Sequence, residues 1–85
     1  MDLKVNRKVA LTLGLEEGLV YQYLIDNMDR NNELSISYIK LMKGINVLTL
    51  NTTKKAVQNL HESDIINNSY DVDGNKVIQV LEIIK

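Results

Sequence analysis

Between Asn51 and Asn59 the chain concentrates side chains able to read a nucleic acid: Asn51, Thr52, Lys54, Lys55, Gln58 and Asn59. An amide can pair bidentately with a base edge, and an ammonium group can sit against a phosphate. No carboxylate interrupts this run until Glu62. Thr53, Ala56, Val57 and Leu60 fall at the three- and four-residue spacing of one helix face, so the intervening polar residues are expected to face outward. The spacing predicts a helix over 51–62 with Asn51 as N-cap, its side-chain oxygen accepting from the unpaired amides of the first turn. A polar helix face is more often simply solvated, so the surrounding chain has to decide.

The charge distribution supports a basic surface. The formal net charge is only −1, yet the stretch Leu34–His61 holds Lys40, Lys43, Lys54 and Lys55 and no acid. All eleven acids lie outside it. Lys40 and Lys43 are thus candidates for holding a nucleic-acid backbone, beside Lys54 on the helix.

Other chemistries are poorly provided for. His61 is the one histidine and there is no cysteine, which removes thiol nucleophiles, disulfides and Cys-ligated metals. The four glycines are scattered and form no phosphate-cradling loop. No enzyme activity, metal or cofactor is expected. Adjacent Glu16 and Glu17 read as first-turn carboxylates favoured by a helix dipole rather than as an acid–base pair. No apolar run approaches a membrane span and no leader pattern opens the chain, so a cytoplasmic location is expected.

With 85 residues, 45% of them apolar and 25% charged, the chain reads as one soluble domain over 1–85. Four tyrosines are its only aromatic residues, so the core must be aliphatic. A first helix is predicted over Asn6–Leu13, closed by Gly14 in the left-handed conformation. A second follows over Leu15–Asp29, with Leu15, Leu19, Val20, Tyr23, Leu24 and Met28 as its apolar stripe. Gly18 inside that helix suggests a close helix–helix contact, within the domain or across a dimer. Glu33–Ile36 alternates as a very short strand. Ser37 caps a third helix over Tyr38–Lys43 with Gly44 as its stop. Beyond the 51–62 helix, Ile65–Val72 reads as a strand with Ile66, Tyr70 and Val72 on one side. Asp73-Gly74-Asn75 is a strong hairpin signal, and Lys76–Ile84 is the return strand.

Helix, helix, short strand, helix, helix, hairpin is the order of a winged helix-turn-helix, an α+β fold that is mainly α. Its pair would be Ser37–Gly44 and Asn51–Ser63, and its wing the hairpin around Asp71–Lys76, with Asn75 and Lys76 as candidate wing contacts. In this fold the second helix of the pair enters the major groove. The segment Asn51–Ile66 also resembles, nearly position for position, the recognition helix and following strand of winged-helix proteins. The segment Val9-Ala10-Leu11-Thr12-Leu13-Gly14-Leu15-Glu16-Glu17-Gly18-Leu19-Val20-Tyr21-Gln22 resembles the opening of the N-terminal domain of DnaD-like and phage replisome-organiser proteins. The family's later aromatic pair falls here on Asp26 and Asn27. The resemblance implies binding to double-stranded DNA, a role in replication initiation, a homodimer formed through the N-terminal helices and a replication-protein partner. Transcription regulation is equally open to a winged helix. So is a module that binds only protein, which Asp71 and Asp73 in the wing and a pI of 5.7 favour.

Overall fold

A computed structural model describes residues 4–84. In chain order its elements are α1 (Arg7–Thr12), α2 (Leu15–Asn27), β1 (Glu33–Ser35), α3 (Tyr38–Ile45), α4 (Leu50–Glu62), β2 (Ile66–Tyr70) and β3 (Lys76–Val80). The fold is α+β and mainly helical, with a three-stranded antiparallel sheet in the order β1-β3-β2. This layout is compatible with a winged helix-turn-helix. None of the described helices is long and apolar enough to cross a membrane.

Helix α4 follows the expected seam. Thr53, Ala56, Val57 and Leu60 are all buried, and the last three share a core with Val20 and Leu24 of α2, Leu41 of α3, and Ile66, Ile78 and Val80 of the sheet. Burying a side chain such as Val57 or Leu60 contributes about 1.5–3 kcal/mol each. That exceeds what a cap supplies, so tertiary packing holds this helix more than local propensity does.

The helix is capped two residues earlier than expected. Its N-cap is Thr49, whose hydroxyl accepts from the Thr52 amide at 3.1 Å, and Asn51 lies inside the first turn with its side chain exposed. Helix α3 likewise runs through Gly44 to Ile45 and closes at Asn46, which adopts the left-handed conformation at φ 65°. Gly44 is glycine for another reason: a Cβ there would collide with the Tyr23 hydroxyl. Gly14 does not cap α1 in the left-handed region, since its φ of 138° and ψ of 165° start α2 instead.

Helix α2 ends at Asn27, and its stripe differs from the expected one. Leu19, Val20 and Leu24 are buried, Leu15 is 58% exposed, and Tyr21 has no exposed surface. The reason lies far along the chain. Strand β3 stops at Val80, and the following segment crosses α2 so that the Tyr21 hydroxyl donates to the Glu82 carbonyl at 2.7 Å and accepts from the Ile84 amide at 2.8 Å. Asn6, the N-cap of α1, donates its side-chain amide to the Ile84 carbonyl at 2.8 Å. Gly18 serves a close crossing inside the domain, because a Cβ on it would stand 2.8 Å from Val5 Cγ2 and 2.9 Å from both Ala10 Cβ and the Asn6 carbonyl.

In the hairpin, only Ile66 of the three expected inward residues of β2 is buried. Tyr70 is 67% exposed, and Val72 lies in the turn, fully exposed. Asp71 builds the turn: its carboxylate accepts from the amides of Asp73 and Asn75, both at 2.9 Å, while Gly74 takes φ 82°. One of the two wing acids is thereby committed to local structure.

Candidate nucleic-acid interface

The structure divides six of the ten sequence-predicted residues between a cleft along α4 and a second cleft between the start of α3 and the hairpin. Thr52, Lys55 and Asn59 line one edge, as their three- and four-residue spacing requires, and Glu16 and Glu17 of α2 form the facing wall. The stretch that is free of acids along the chain is therefore not free of them in space. Lys55 and Asn59 are exposed there, Thr52 is half-buried with its hydroxyl 2.7 Å from that of Thr49, and Glu17 is buried. Outside the two clefts, Asn51 is exposed, and Gln58 is exposed but donates to Glu62 at 3.0 Å. An incoming base edge would have to displace that intrahelical contact, which on an exposed helix contributes only about 0.2–0.5 kcal/mol.

The other cleft gathers cations from three elements, Lys40 of α3, Lys54 of α4 and Lys76 of β3. Lys40, Asn75 and Lys76 come together with Tyr38 and Tyr70 around an open cleft of about 430 Å³ between the start of α3 and the hairpin. Lys54 reaches the same cluster from α4, its ammonium 5.7 Å from the centre of the Tyr38 ring. Lys43 is exposed on α3 but does not line this cleft.

Lys76 is the unexpected member. Strand alternation puts it on the same buried face of β3 as Ile78 and Val80, so it is only 8% exposed rather than a free wing cation. Its ammonium lies 4.1 Å from the Tyr38 ring centre and 5.1 Å from that of Tyr70. Among the described residues the one ion pair is Lys4–Asp26, at 3.9 Å, so no carboxylate neutralises Lys76. Lys76 lines the open cleft, so its ammonium keeps access to solvent, and a cation–π contact of that kind contributes about 0.5–1 kcal/mol. The two rings thus hold the ammonium in place without cancelling its positive charge.

The Tyr38 phenol registers that excess. Burial alone would raise its pKa, but the Lys76 ammonium beside it, the hydrogen bond from Asn68 and the positive charge of Lys54 outweigh burial and lower it. Asn68 donates to the Tyr38 hydroxyl at 3.3 Å, and its own side-chain carbonyl oxygen is buried with no hydrogen-bond partner among the described residues.

Sequence reasoning missed Tyr38 and Tyr70 as site residues, reading Tyr38 only as the start of a helix and Tyr70 as part of one strand face. The hairpin held the signal: with the turn at Asp71–Asn75, Tyr70 and Lys76 become directly opposed cross-strand partners. His61 sits at the end of α4 with Nδ1 3.4 Å from the Ile66 carbonyl oxygen. No group of three or more His, Cys, Asp or Glu among the described residues is arranged to hold a metal ion. No protein-family model, curated protein or solved structure matches the chain.

Proposed function

We propose that this protein is a winged-helix DNA-binding domain that presents α4 to the major groove of duplex DNA. The reading rests chiefly on one observation: α4 buries Thr53, Ala56, Val57 and Leu60 and leaves Asn51, Lys54, Lys55, Gln58 and Asn59 exposed on its far side. In this arrangement Asn51, Lys55, Gln58 and Asn59, with the half-buried Thr52, meet bases. Lys54, Lys40 and Lys43 meet phosphates, and Asn75 is the exposed contact available on the wing. Acting in replication initiation, as the DnaD-like resemblance implies, or in transcription regulation would both use this face, and a second copy joined through the N-terminal helices would double it.

A titration of labelled random-sequence duplex DNA, followed by fluorescence anisotropy at several salt concentrations, tests the reading. Binding should weaken with salt at a log–log slope of roughly −3 to −5, the mark of a handful of neutralised phosphates. Lys55→Glu should reduce affinity by roughly ten-fold or more without unfolding the domain, since Lys55 lies off the buried seam. A Lys55→Glu protein that bound as well as the parent would rule out this face.

A second reading, a winged helix that contacts protein and not DNA, is favoured by one observation: Glu16 and Glu17 stand beside Lys55, where they repel a phosphate backbone. Absence of DNA binding at low salt would make it the leading reading.

A further inference from the structure

We infer that the cleft between the start of α3 and the hairpin is a phosphate-binding site, with Lys76 as its buried cation and Lys40 at its rim. This goes beyond the DNA-binding reading and does not depend on it, because the site is defined by its own chemistry. Three observations converge. Lys76 is more than nine-tenths buried, lines the cleft, and has no carboxylate partner among the described residues. Lys40 lines the same cleft from α3. Ser37 and Tyr38, the N-cap and first residue of α3, form its wall, so the positive end of that helix is directed there as well.

The site is selective for an anion by construction. Tyr38 and Tyr70 hold the Lys76 ammonium by their ring faces, which supply electron density but no net negative charge. An anionic ligand entering the cleft would meet an ammonium that no carboxylate among the described residues shares. The two acids nearest along the chain do not line the cleft: the Asp71 carboxylate is engaged by the Asp73 and Asn75 amides in the turn, and Asp73 is exposed. The lowered Tyr38 pKa is the response expected of a phenol beside this uncompensated charge. A volume of about 430 Å³ accommodates a phosphate with room for the group that carries it. That group is either a nucleic-acid backbone or a free phosphorylated molecule.

The test is a titration of isotope-labelled protein with inorganic phosphate at fixed ionic strength, chloride replacing it in the control, followed by amide chemical shifts. Saturable shifts at Ser37, Tyr38, Asn75 and Lys76, with none in chloride, are the expected result. Lys76→Met, which keeps an unbranched side chain one atom shorter and without its charge, should weaken binding at least ten-fold. Lys40→Gln, an exposed change that the fold tolerates, should weaken it several-fold, and Lys8→Gln on α1 should leave it unchanged. Shifts that never saturate, or that persist at parental affinity in both folded Lys76→Met and Lys40→Gln, overturn the site. If Lys76→Met does not fold, Lys40→Gln alone decides. Duplex DNA added to the phosphate-saturated protein separates the two sources. Displacement of phosphate assigns the site to the nucleic-acid backbone. Phosphate that saturates the site while DNA neither binds nor displaces it assigns the site to a free phosphorylated ligand, and the DNA-binding reading then fails while the site stands.

Discussion

Gly18 shows how much one missing side chain can decide. Inside a helix a glycine costs roughly 1 kcal/mol against alanine, so propensity alone favours Gly18→Ala. Packing opposes it, because the new Cβ would stand under 3.0 Å from Val5 Cγ2, Ala10 Cβ and the Asn6 carbonyl, the last of which is backbone and cannot swing aside. Overpacking of this kind costs about 1–3 kcal/mol, and the Asn6 amide already spans the crossing to the Gly18 carbonyl at 3.2 Å. Gly18→Ala is therefore expected to be less stable than the parent in urea denaturation, and a more stable variant would show that α1 shifts freely. The chain alone suggests a close crossing at Gly18 but cannot choose between a neighbour in the domain and a second copy. Residues 5–10 meet it only after the chain has turned back at Gly14.

At the scale of elements, the caps separate what spacing reveals from what it leaves open. The buried seam of α4 is legible because a period of 3.6 follows from the backbone itself. Its first residue is not, since Thr49 and Asn51 are both cap-competent and the choice depends on where the first turn is drawn. Thr49→Ala should therefore destabilise the domain by about 1 kcal/mol, whereas Asn51→Ala should stay within roughly 0.5 kcal/mol, as thermal denaturation of the two variants will show. An Asn51→Ala variant as damaging as Thr49→Ala would contradict the observed cap. Helix α3 poses the same ambiguity between Gly44 and Asn46, and Tyr23 resolves it by covering Gly44. In β3 the alternation that sets Ile78 and Val80 inward also sets Lys76 inward, yet a lysine is ordinarily assigned to the surface. The positively charged cleft was hidden by that habit of reading, since the two tyrosines that stabilise a buried ammonium come from α3 and from across the hairpin.

Across the whole molecule, Tyr21 ties the segment after β3 to the helices through its two hydrogen bonds. Its pKa is raised from 10.0, first by burial and further by the Glu82 charge, while the Ile84 amide pulls the other way. Because the folded state favours the neutral phenol, its stabilisation is complete below pH 10.0 and is lost as the pH rises through the higher folded value. Tyr21→Phe should be less stable by about 1–3 kcal/mol at neutral pH, with the Ile84 amide and Glu82 carbonyl left unpartnered. The gap between variant and parent should narrow in alkaline solution, and a constant gap would place the alkaline transition elsewhere. The sheet order has a separate consequence for the time course of biosynthesis. Strand β3 lies between β1 and β2 although it is made last of the three, and among the described residues β1 pairs with β3 alone. As the chain emerges from the ribosome, Glu33–Ser35 must wait without a partner until Lys76–Val80 appear, whereas α1 and α2 can already dock. Assembly of the nascent domain is thus gated by its last strand, and the buried lysine enters its cage of tyrosines in that same closing step.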